Sequence, residues 1–67
     1  MIEILLNGEP RSLPGEQTIA QLLTDLSLPA QTVAVEVNLE LVPRLQHAER
    51  NLRPGDQVEI VTFKGGG

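Results

Sequence analysis

The sequence predicts an α+β fold in which one helix packs on one face of a mixed four- to five-stranded sheet. Three observations carry that expectation. Runs of alternating apolar residues recur at the start, middle and end of the chain. A single stretch, Ile19 to Leu26, switches to helical spacing. Sixty-seven residues leave room for one two-layer domain and no more.

The opening "IEILLNG" reads as a strand, with Ile2, Ile4 and Leu6 on one face and Glu3 and Leu5 on the other. Asn7-Gly8 is a two-residue hairpin signal, because a type I′ turn needs positive φ at both central positions. "EPRSL" is then the return strand, with Pro10 at its start or on an edge where no ladder donor is needed. Ile19, Leu22, Leu23 and Leu26 form the stripe of a helix of two to three turns. Thr18 is its N-cap, Gln21 completes a capping box, and Pro29 closes the segment.

"TVAVEVN" resumes alternation, with Val33, Val35 and Val37 facing one way. "LVP" reads as a short extra strand, "RLQHAERNL" as a turn of helix, and Pro54-Gly55-Asp56 as a turn. "QVEIVTF" is the last strand, with Val58 and Ile60 on one face. The hairpin makes the first two strands antiparallel, and the helix crossover allows a parallel pairing afterwards. With the last strand beside the first, this order is the β-grasp, or ubiquitin-like, roll. The expected organisation is a folded domain over residues 1–63 and a flexible glycine tail over 64–67.

Composition excludes several classes of function. With no cysteine and one histidine, His47, the chain has no disulfide framework and no set of metal ligands. It also lacks any nucleophile–base set, so no residue is assigned a catalytic role and autonomous catalysis is not expected. His47 is expected at the surface or a sheet edge, and Asp56 in a turn-forming role. Nine acidic and five scattered basic residues give a formal charge of −4, which disfavours nucleic-acid binding. No apolar run approaches a membrane span, and "MIEILLNGEP" lacks the features of a signal peptide. Absence of cysteine agrees with a cytoplasmic location.

Parity along the last strand sends Val61 and Phe63 outward, and Leu5 of the first strand is expected to join them in an exposed apolar docking patch. That strand runs through Lys64 into Gly65-Gly66-Gly67. Glycines lack β-carbons, so such a tail can thread a narrow channel, and its terminal carboxylate is sterically open once activated.

As a whole the chain resembles the ThiS family of thiamine-biosynthesis sulfur carriers. The matching stretches are "ILLNGEP", "TIAQLL", "VAVEVN", "VPR" and "PGDQVEIVTFKGGG", in order and without evident insertion. Two positions depart from that pattern: His47, where members often carry tryptophan, and Lys64, where an apolar or small residue is expected. The resemblance implies that a separate, ThiF-like adenylating enzyme activates the carboxylate of Gly67 with ATP. A cysteine-derived persulfide then supplies sulfur, giving a thiocarboxylate that is passed to a ThiG-like thiazole synthase. It implies further that Gly65 and Gly66 reach into both enzymes' active sites and that the chain itself binds no cofactor. Two other readings compete. One is a carrier on the same fold serving molybdopterin or tRNA thiolation, and the other is an interaction module whose glycines are merely a frayed end. Chain length and the "VPR" and "VEIVTFKGGG" stretches favour the thiamine branch.

Overall fold

In the computed structural model, which describes residues 1–63, the alternating runs form five strands and the helical stripe forms one helix. Strand β1 is Ile2–Leu6, β2 Glu9–Leu13, β3 Val33–Val37, β4 Glu40–Val42 and β5 Gln57–Thr62, and helix α1 is Ile19–Asp25. Short 3₁₀ turns cover Ala30–Thr32 and Arg44–Gln46. The sheet order is β2-β1-β5-β3-β4. Only the central β1–β5 pair is parallel; the other neighbours are antiparallel. This is the mixed sheet with one helix expected from the sequence. Pro10 sits on edge strand β2, where its missing N–H breaks no ladder.

One side of the sheet is sealed by α1. Ile19, Leu22 and Leu23 of the helix join Ile4, Val33, Val35, Val37, Val58 and Ile60 in a single buried cluster, against which Ile2, Leu6 and Leu26 pack partly buried. The helix is held at its start by the expected capping box: the Gln21 N–H donates to Thr18 Oγ1 at 3.1 Å, and the Thr18 N–H donates to Gln21 Oε1 at 2.8 Å. The next orphan donors of this first turn find partners in a distant loop, with Ile19 N–H on Arg50 O and Ala20 N–H on His47 O, both at 3.0 Å. At the other end the helix stops before Pro29 is reached. Ser27 adopts φ +60°, and the Leu28 N–H returns to Leu23 O at 2.9 Å, a Schellman-type ending.

The loop that caps α1 adds a core residue of its own, Leu52; Leu13 at the end of β2 is buried with the cluster too, although neither belongs to an apolar periodicity long enough to announce it. His47 lies in the same loop and corrects the sequence expectation: it is buried, with 4% of its surface exposed. Its Nε2 lies 3.0 Å from the carbonyl oxygen of Val42. A carbonyl only accepts, so Nε2 carries a proton, and buried Nδ1 has no hydrogen-bond partner among the described residues. The ring thus fastens the loop to edge strand β4.

Asn7 joins the turn to the sheet. Asn7 and Gly8 take φ +51° and +84°, the two left-handed positions of a type I′ turn. As the backbone of β1 turns away, the Asn7 amide continues its ladder: Oδ1 accepts from Ile60 N–H at 2.8 Å and Nδ2 donates to Ile60 O at 3.4 Å. Asn7→Ala leaves both Ile60 groups without these partners and puts a Cβ-bearing residue with no local hydrogen bond in the left-handed region. We expect a loss of about 2 kcal/mol and a melting temperature lower by roughly 10 °C. An unchanged melting curve would show that the side-chain ladder contributes nothing.

Candidate functional site

The end of β5 is the part of the sheet that leads toward the glycines, and its local geometry follows from where its neighbours stop. On one side, β1 pairs with β5 only at Leu5–Gln57 and Leu6–Val58, and the Asn7 side chain serves Ile60. Beyond Ile60 the β1 side of the strand has lost its neighbour. On the other side, β3 continues alongside: Ala34 pairs with Val61, Val33 with Thr62, and the Phe63 N–H reaches Thr32 O at 2.7 Å. The strand therefore leaves the sheet supported on one side, with its outward residues uncovered.

Of the three residues expected to form an apolar patch, Val61 and Phe63 are exposed, at 59% and 54%. Leu5 is half-buried and lies on the same outer face, opposite in parity to buried Ile4. It is not beside them. The parallel register sets Leu5 against Gln57, and the four steps along the strand from Gln57 to Val61 span about 13 Å. Leu5 instead faces Pro10 of β2 across the hairpin. The apolar residue that does accompany Val61 is Ala34, its cross-strand partner; Leu41 of β4, 66% exposed, forms a separate apolar corner beside Glu36. Leu41 is opposite in parity to buried Val42, a signal present in "ELV", but its position beside Glu36 depends on strand order and register.

Between these two apolar corners the outer face is acidic. Glu36 of β3 pairs with Glu59 of β5, and Leu41 pairs with Glu36 from the other side. Lys64, Gly65, Gly66 and Gly67 lie outside the described residues, so the expected tail and its reacting carboxylate are not part of this geometry.

Elsewhere, an open polar cleft of about 390 Å³ is lined by Asn38, Glu49, Arg50, Asn51, Arg53 and Asp56. Its buried carboxylate is already committed. Asp56 Oδ1 accepts from Asn38 Nδ2 at 3.1 Å, Oδ2 accepts from the Arg53 N–H at 2.9 Å, and Arg50 lies 3.7 Å away. These bonds pin the turn before β5, the structural role expected of Asp56. Among the described residues there is no group of three potential metal ligands, and no helix is long and apolar enough to cross a membrane.

Comparison with known proteins agrees with the fold and extends over the tail. The sequence profile of the ThiS family matches residues 4–67. The chain is 41% identical over 64 residues to the sulfur carrier protein ThiS of Thermus thermophilus, covering 96% of this chain and 98% of that one. It is also 41% identical over 66 residues to a thiazole synthase of Paramagnetospirillum magneticum. That match takes in 98% of this chain but spans only 20% of the larger protein. Among solved structures, the thiamine biosynthesis protein ThiS of Geobacter metallireducens superposes with a TM-score of 0.84 at 32% identity, over 98% of this chain and 100% of that one. The chain belongs to the ThiS family.

Proposed function

We propose that the chain carries sulfur for thiamine biosynthesis as a thiocarboxylate at Gly67, and delivers it to a thiazole synthase. The observation that carries this reading is a family match that runs through the last residue, Gly67, on a chain with no cysteine. Without a thiol of its own, the protein has no persulfide on which to hold sulfur, which supports a carboxylate as the carrier group. Thiazole synthases that contain a stretch similar to this whole chain support the choice of acceptor.

A free carboxylate is a poor electrophile, so activation comes first. Attack of a Gly67 oxygen on the α-phosphorus of ATP forms the acyl adenylate and releases pyrophosphate. The terminal sulfur of a cysteine persulfide on a donor protein then displaces AMP, leaving an acyl disulfide. A second thiol attacks the donor sulfur, releasing the thiocarboxylate and closing a protein disulfide, whose two sulfurs supply the two electrons that reduce the transferred sulfur. Each of these steps belongs to partner enzymes, an adenylating enzyme and a sulfur donor. This chain's part is a fold that docks and a terminus that reaches. The need for ATP supports a cytoplasmic setting for the reaction.

The test is intact-mass measurement of the full chain after incubation with the adenylating enzyme, ATP and a persulfide donor. The expected result is a gain equal to the exchange of one oxygen for sulfur. An unchanged mass with partners shown to be active would rule the reading out.

A further inference from the structure

The outer sheet face holds an arrangement that the fold does not require. Glu36 and Glu59 are direct cross-strand partners, and like charges opposite one another work against strand pairing. Among the described residues neither carboxylate has an ion pair, since the arginines lie elsewhere or are engaged with Asp56 and the loop. The two acids are bordered by exposed Leu41 on one side and by Ala34 and exposed Val61 along the strands, with Phe63 beyond. Two carboxylates bordered by apolar residues on two sides and by polar Asn38 and Gln57 on a third suit a single cation carried on a partly apolar surface.

Position limits who brings the cation to an enzyme that takes up the tail, and the thiazole synthases that contain a stretch similar to this whole chain point to that enzyme. Gly67 is four residues beyond Phe63, and four residues fully extended reach at most about 14 Å. An enzyme that takes the Gly67 carboxylate into its active site therefore stands against this end of the sheet. Resting on the reading of Gly67 as the sulfur-bearing end, we infer that Glu36 and Glu59 together receive one arginine or lysine of the thiazole synthase, with Leu41 and Val61 sealing the contact. Closing that contact removes water from around the charges and strengthens their attraction. Before contact, a chain of net charge −4 that holds two of its nine acids side by side here is steered toward a basic patch. The acidic pair is then a determinant of partner choice, separate from the chemistry at the tail.

The experiment titrates the full chain into thiazole synthase from the same organism at low and high salt. The parent should bind more weakly as salt rises. Glu36→Gln with Glu59→Gln keeps shape and removes charge; it should fold as the parent does, bind roughly tenfold more weakly at low salt, and lose most of the salt dependence. Val61→Ala should weaken binding while leaving the salt dependence in place. A double variant that binds like the parent with the same salt dependence would overturn the inference, as would a parent that does not bind thiazole synthase. Sulfur loading of the parent, followed by mass in parallel, separates the two claims. Loading with an unaltered double variant discards only the docking role, whereas failure to load discards the carrier reading and leaves the binding comparison to decide the docking.

Discussion

Removing Gly67 should cut sulfur loading by at least about 100-fold while leaving the folded domain unchanged. The deletion still ends in glycine, so the reacting group is chemically the same and only its reach is altered. One residue of extended chain is about 3.5 Å, and displacement of a reacting atom by about 1 Å already costs on the order of 100-fold. Adding one alanine after Gly67 should have a comparable effect, since it moves the terminus too far and adds a β-carbon in the channel. Loading rates by mass spectrometry, with thermal melting as the folding control, measure both. A deletion that loads at the parent rate would show that the length of the tail is not read. An interaction module whose glycines are a frayed end would keep its binding in either variant.

Leu52→Ala should destabilise the domain more than Asn7→Ala does. Leu52 is fully buried, yet it belongs to the irregular segment between β4 and β5. That segment is tied to the start of α1 by Leu52 N–H on Gln17 O at 2.8 Å and by the bonds from Ile19 and Ala20. Truncating a buried leucine costs about 2–5 kcal/mol. The whole domain, at about 0.05–0.15 kcal/mol per residue, holds on the order of 3–10 kcal/mol. Losing a side chain from the single core should therefore remove a large share of its stability and free the loop that caps the helix. Urea unfolding checks this directly. A loss below about 1 kcal/mol would mean that the loop carries little of the core.

The fold is largely legible in the sequence because its signals are local. Alternation in "IEILL", "VAVEV" and "QVEI", the Asn7-Gly8 turn and the Thr18–Gln21 capping box each need only a few neighbouring residues, and each is where the sequence places it. The outer face is half legible. Parity alone sends Val61 and Phe63 outward, because it depends on counting from Val58 and Ile60. Which residues stand beside them depends on register between strands far apart in sequence. That register is decided by where β1 turns away at Asn7 and by how β3 and β4 continue past it. Parity therefore groups Leu5 with Val61, and gives no sign of Ala34 or the Glu36–Glu59 pair as its surroundings.

The loop hides more. No periodicity marks Leu52 or His47 as buried, since both are placed by backbone bonds to α1 and by the contact of His47 with Val42. A lone histidine in a polar segment carries no local signal of burial, and its role emerges only with the edge strand that it fastens. The differences share one cause: each depends on contact between segments distant along the chain.

The absence of cysteine gives the central claim an unusually clean test. The chain has one sulfur atom, in Met1, and no thiol. After incubation with the adenylating enzyme, ATP and a persulfide donor, the full chain is treated with a sulfur-directed alkylating reagent and fragmented in the mass spectrometer. A single alkyl group on the C-terminal fragment that contains Gly67, dependent on ATP, is the predicted result. No alkylation, or a label on any fragment that lacks Gly67, would contradict it.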